Sequence, residues 1–291
     1  MNGPRVGVCI LPDAPWREAE RRWRLADELG FAHAWTYDHL TWGGLPGHEW
    51  YAAIPTLTAA ALRTSRIGLG TFVSSPNNHH PAQFIREIAA LADIAGDRVL
   101  LGIGSGGTLD AQTVAPDLTL RGRTERFAEF TEAMARLLRH TEVTFAGEYF
   151  QLAEARTDPG PLNSDARVRV PLLVAANGPR AIELAVTHGE GWVTYGGSAD
   201  TQEDWWQVVG EVVARLEEQL ERSGRTRPLR RVLGLDSAPI YSFASVDAFA
   251  DAHGRAGELG FTDVVAAWPR AADPYAGSED VVIEVAGRFC A

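Results

Sequence analysis

The stretch LLGIGSGGTLDA, residues 100–111, is where two α/β folds part company. Gly102, Gly104 and Gly107 satisfy the spacing G-x-G-x-x-G and follow the apolar run 99–101. In a dinucleotide-binding domain that spacing ends the first strand and opens a helix, whose N-terminus meets a pyrophosphate. Here Pro116 interrupts the segment beyond the glycines, and no helical period is predicted before about Thr124. Three strand–helix units also precede the motif. The glycines therefore read as a strand end stripped of side chains, against which a flat ring can lie.

Outward from that stretch, apolar runs alternate with helical patterns along the whole chain. Strands are predicted at 5–11, 33–37, 66–74, 99–103, 171–175, 191–195, 231–235 and 263–267. Between them, Trp16, Ala19, Trp23, Ala26 and Leu29 recur on one helical face, as do Phe127, Phe130, Met134, Leu137 and Leu138. ADELGF (26–31) and AGELGF (256–261) each predict a helix that stops at a glycine, Gly30 or Gly260, with the next Phe folding back. Thr201 and Asp204 form a capping box. Such alternation suits a single (β/α)8 barrel over residues 1–291, with a doubly wound sheet as the competitor. VTFAGEYFQ (143–151) reads as a β-hairpin turning at Ala146-Gly147, inserted with the Pro-rich stretch 156–171 between the fourth helix and the fifth strand.

Composition narrows the chemistry. The net charge of −11 argues against a general nucleic-acid binder, which needs a basic face. No apolar stretch approaches the roughly 20 residues of a membrane span, and a strand-like run near the N-terminus leaves no room for a leader, so a cytoplasmic protein is expected. All 27 basic residues are arginine. A Schiff-base lysine, a pyridoxal-phosphate anchor and a P-loop lysine are thereby excluded. Two cysteines at opposite ends of the sequence make neither a zinc site nor a disulfide framework.

In barrels of this kind the working residues sit at the carboxyl ends of the strands. Here those ends read TYDHLTW (36–42), TFVSSPNNHHP (71–81), GIGSGG (102–107), AANGP (175–179) and TYGG (194–197). His39 is suited to moving a proton near neutral pH, with Asp38 as its neighbour. Trp42, in a glycine-flanked loop just beyond, and His79 are assigned to the substrate. His79 and His80 could join His39 and His48 around a metal, but the first strand, VGVCILPD, carries no His-x-His pair, so no metal is expected. Pro179 suits a first helical turn, whose free N–H groups, helped by Arg180, would make a phosphate seat.

Together, TYDHLTW, LGTFVSSP, LGIGSGG, the hairpin VTFAGEYFQL, PLLVAANGPRAIELAVTHGEGWVTYGG and the final ELGF resemble the bacterial luciferase-like oxidoreductases, and within them the branch using coenzyme F420, an 8-hydroxy-5-deazaflavin. The resemblance implies a hydride-transferring enzyme acting on a small alcohol, ketone or alkene, with the coenzyme in the barrel mouth and a homodimer as the assembly. It implies His39 as the acid–base group and Asp38 as a contact of the ring system. Thr71, Phe72 and Val73 match a bulge with a cis non-proline peptide behind the ring, and Gly104, Ser105 and Gly106 the strand end beside it. Ala175, Ala176, Asn177 and Gly178, with Thr194, match the region holding the phosphate-bearing tail. Sugar-phosphate dehydrogenases of this branch carry a glutamate where this chain has Gly107, and grip the phosphate partly with lysine; a sugar-phosphate substrate is not expected here. An FMN-dependent monooxygenase is the alternative, and a metal-dependent barrel hydrolase a more distant one.

Overall fold

The computed structural model describes residues 3–157 and 168–290. Its strands are β1 (Arg5–Cys9), β2 (His33–Thr36), β3 (Gly68–Thr71), β4 (Val99–Ile103), β5 (Glu142–Ala146), β6 (Gln151–Arg156), β7 (Leu172–Ala175), β8 (Gly191–Thr194), β9 (Arg230–Gly234) and β10 (Asp263–Ala267). The helices are α1 (Trp16–Glu28), α2 (Ala53–Ala61), α3 (Pro81–Ala95), α4 (Thr108–Val114), α5 (Leu120–Leu137), α6 (Pro179–His188), α7 (Gln202–Ser223), α8 (Val246–Glu258) and α9 (Glu279–Phe289). Eight strands close into a parallel barrel in the order β1-β10-β9-β8-β7-β4-β3-β2, and β5-β6 stand apart as an antiparallel pair. This is the (β/α)8 barrel with its hairpin insertion, between α5 and the fifth barrel strand, β7.

Strand alternation sorts side chains into two cores. Leu172, Val174, Leu233, Val264 and Ala266 pack outward under the helices, with Trp23 of α1 and Phe127 and Phe130 of α5. Leu173, Val232 and Val265, between them in sequence, join Cys9, Trp35, Leu100 and Val193 in a separate interior cluster. The barrel interior is thus filled by side chains, and the cavity opens at its carboxyl end.

The predicted chain punctuation is found. Gly30 and Gly260 lie at φ +84° and +79°, and Phe31 and Phe261 donate their N–H groups back to Ala26 and Ala256, the geometry of a Schellman stop. Thr201 accepts the Asp204 N–H at 3.1 Å and opens α7. The hairpin turns over residues 147–150, beyond the expected Ala146-Gly147, because Ala146 still pairs with Gln151; there the Glu129 carboxylate of α5 accepts the N–H groups of Glu148, Tyr149 and Phe150. Most of the Pro-rich stretch falls outside the described residues.

One expectation fails. A helix does begin at the third glycine of the G-x-G-x-x-G motif: α4 starts at Thr108, with Gly107 as its N-cap, and α5 starts at Leu120, before Thr124. At seven residues, α4 is too short to display a recognisable period. The dinucleotide fold is still excluded, because the sheet closes on itself.

Candidate active site

A cavity of about 820 Å³ opens at the carboxyl ends of the strands, within the usual range of small-molecule sites. On the β3–β4 side its wall is the Phe72-Val73 ridge, joined by a cis peptide bond as the resemblance implies, with Gly104, Ser105 and Gly106 beside it. A Cβ at Gly104 would stand 2.5 Å from Val73 Cγ2, so the two walls meet only because that side chain is missing. Ala175 and Ala176 continue the same low-relief surface. Beside the ridge, this side of the cavity carries only small side chains or none, which suits a planar ring system.

The far end of the cavity is polar. Gly178 caps α6 without a side-chain hydrogen bond, and Pro179 occupies the first turn. The turn's free N–H groups and Arg180, which pairs with Glu125 at 3.8 Å, form a donor set suited to an anionic group. Asn177 and Thr194 line this end too, but their side chains bond each other at 2.6 Å, and Asn177 also donates to the Gly196 carbonyl at 2.7 Å. They hold the β7 and β8 loops in register. The residues present therefore fit a tricyclic cofactor with a phosphate-bearing tail.

His39 lines the cavity, and its Nδ1 lies 2.6 Å from Asp110 Oδ2. Trp42 lies beside it in a cluster of rings, with Tyr37 at 5.3 Å, Trp50 at 5.7 Å and Tyr275 stacked at 6.1 Å. At the end of β9, Asp236 accepts the Tyr37 hydroxyl at 2.5 Å. Burial pushes the Asp236 carboxyl up to about 6, against that hydrogen bond, which favours the charged form. Burial and the Asp236 charge together raise the Tyr37 phenol.

Three of the predicted site residues do not reach the cavity wall. Asp38 is buried, accepting from the Ser74 hydroxyl and lying 2.6 Å from His79 Nε2. Burial by itself would raise its carboxyl, but His79, Ser74 and Asn78 reverse this and hold it below the usual range. His79, assigned to the substrate, is turned away by that same contact and stacks on Phe84 at 3.9 Å. Thr71 donates to the Gly102 carbonyl at 2.7 Å and is 1% exposed. These side chains brace the β2–β3–β4 loops behind the wall. His39, Trp42, Phe72, Val73, Gly104, Ser105, Gly106, Ala175, Ala176, Asn177, Gly178 and Thr194 all come together on the wall.

Sequence reasoning missed Asp110, Asp236 and Tyr275. Asp236 comes directly after a predicted strand, so the rule that named His39 would have named it. Asp110 carries no such signal, since 71 residues separate it from His39. Among the described residues, no group of three or more His, Cys, Asp and Glu is placed to hold a metal ion.

The same architecture recurs in known proteins. A family model described as luciferase-like monooxygenase matches residues 3–267. An F420-dependent glucose-6-phosphate dehydrogenase of Kineococcus radiotolerans is 34% identical over 236 residues, 77% of this chain and 66% of that protein. An F420-dependent hydroxymycolic acid dehydrogenase of Mycobacterium tuberculosis is 33% identical over 171 residues, 58% of this chain and 46% of that protein. The chain thus spans between about half and two thirds of the length of these relatives. Among solved structures, an F420-dependent secondary alcohol dehydrogenase holding an F420–acetone adduct superposes with a TM-score of 0.80 at 17% identity, covering 98% of each chain.

Proposed function

We propose, from a chain that belongs to the luciferase-like monooxygenase family, that this protein is a coenzyme F420-dependent oxidoreductase moving a hydride to or from a small organic alcohol, ketone or alkene. The observation that carries the reading is the juxtaposition in one cavity of a low wall, kept open by Gly104 beside the Phe72-Val73 ridge, and the imidazole of His39. The curated relatives bearing F420 in their names support it. When bound, F420 supplies the two-electron hydride chemistry, and the protein supplies placement and proton handling.

Gly104, the Phe72-Val73 ridge and Ala175 would hold the deazaflavin ring, and the start of α6 with Arg180 its anionic tail. His39 takes the hydroxyl proton as an alcohol carbon gives up its hydride, and returns it to the oxygen in the reverse direction. Trp42, Tyr37 and Tyr275 shield that exchange from water and give the substrate an aromatic wall. Arg180 is the one arginine among the described residues lining the cavity, and it stands at the tail end. The aromatic end, with the Asp236 carboxyl in its wall, therefore favours an uncharged substrate over a phosphate ester.

We read residues 1–291 as one catalytic unit, a homodimer working in the cytoplasm. No described helix is long and apolar enough to cross a membrane. Titration of purified protein into F420 tests the central reading. Saturable quenching of deazaflavin fluorescence at micromolar protein is expected, with FMN displacing the coenzyme poorly. Absence of quenching, or protein that purifies yellow with FMN bound, would transfer the site to the flavin alternative or remove it from redox chemistry.

A further inference from the structure

A buried carboxylate stands behind the imidazole. Asp110 lies in the first turn of α4 and is 1% exposed. Its Oδ1 accepts the backbone N–H groups of Leu40 at 3.0 Å and Thr41 at 3.2 Å, the two residues that come after His39. Its Oδ2 meets His39 Nδ1 at 2.6 Å. A carboxylate can only accept hydrogen bonds, so the ring donates through Nδ1–H. That places the hydrogen of a neutral imidazole on Nδ1 and leaves Nε2 with the free lone pair.

The pair lies close against Gly107. A Cβ at Gly107 would lie 3.2 Å from His39 Cε1, 3.3 Å from its Nδ1 and 3.5 Å from Asp110 Oδ2. A side chain there would press on the His39 ring and sit in ordinary contact with Asp110. The strand end of β4 thus stays bare, and the carboxylate reaches His39 from three residues further on, out of α4.

We propose that Asp110 is the positioning residue of this site: through Nδ1 it selects Nε2 as the nitrogen that handles the substrate's proton, and through Leu40 and Thr41 it fixes where that nitrogen stands. The inference rests on His39 being the proton-handling group of the proposed reaction, but its test needs no coenzyme. Ring ¹⁵N shifts of histidine-labelled protein, recorded above the imidazole titration range and assigned by their loss in His39→Gln, separate the two tautomers. Wild-type protein is expected to show a protonated Nδ1 and an unprotonated Nε2 at His39. Asp110→Asn keeps an acceptor for Leu40 and Thr41 but can present an amide N–H to Nδ1, so the two shifts should interchange. A wild-type His39 carrying its hydrogen on Nε2 overturns the proposal, as does an Asp110→Asn spectrum with the wild-type pattern. The wild-type result does not depend on Asp110→Asn, so a substitution there that unfolds the loop leaves the test in place. Failed F420 quenching beside the expected tautomer would count against the coenzyme reading alone, and the reverse result against Asp110 alone.

Discussion

Asp236 is the residue whose ionisation the fold most visibly opposes from within the cavity wall. Its carboxyl is pushed by burial up to about 6, above an unfolded value near 3.9. Between about pH 4 and 6 the folded chain therefore keeps a proton that the unfolded chain releases, and stability falls as pH rises through that window. Asp236→Asn removes the penalty while retaining an acceptor for the Tyr37 hydroxyl. The variant should be more stable than wild type at pH 8 by roughly 1–3 kcal/mol, with the gain vanishing near pH 4. Urea unfolding at the two pH values reads this directly. An equal difference at both would mean that the carboxyl ionises normally in the folded protein.

At the scale of single elements, two helices of different origin in the chain stop in the same way. α1 and α8 each run into Leu-Gly-Phe, and the glycine takes a left-handed conformation, φ +84° at Gly30 and +79° at Gly260. A Cβ at Gly260 is penalised by backbone conformation and not by crowding, since its nearest neighbour would be an arginine nitrogen at 3.3 Å. Gly260→Ala should cost about 1–2 kcal/mol. Gly210 offers the opposite case: it lies inside α7, with nothing within 4 Å of an added Cβ. Gly210→Ala should stabilise by up to about 1 kcal/mol, because alanine loses less backbone entropy in a helix. Thermal melts of the two variants should shift in opposite directions. Shifts of one sign would mean that helix geometry is not what governs these positions.

The whole barrel is stitched at its amino end by a charged cluster that never meets the site. Asp263, fully buried at the start of β10, binds Arg230 at 2.7 Å, Arg5 at 3.0 Å and His33 Nε2 at 2.9 Å. Trp35 donates to His33 Nδ1 at 2.6 Å, which leaves Nε2–H to donate to Asp263. The cluster ties β1, β2, β9 and β10 across the point where the sheet closes on itself. Burial would raise the Asp263 carboxyl, but His33 and Arg230 hold it far below the usual carboxylate range. Its stabilisation is thus complete above about pH 4 and is lost as pH falls further. Asp263→Asn should destabilise by about 3 kcal/mol or more at pH 7, since it strands Arg230 beside an uncharged partner. Its affinity for F420 should be unchanged. Denaturation at pH 7 and a fluorescence titration on the same variant test both halves, and a loss under about 1 kcal/mol would mean that the cluster does not hold the barrel closed.

The sequence by itself determined the strands, their alternation with helices, the hairpin, the helix stops and the end of the barrel where the cavity opens. All of these are written in local periodicity and turn chemistry, which act over a few residues. It also named about half of the cavity wall, because the residue types at strand ends are read in order along the chain. Only the tertiary structure decided which way those side chains turn. Asp38 and His79 spend themselves on each other across 41 residues, Thr71 on Gly102 across 31, and His39 finds Asp110 across 71. Hydrogen bonds of such range exist only once the strands lie side by side. A polar side chain at a loop takes whichever partner the neighbouring strand brings to it, and that partner has no fixed spacing in the sequence.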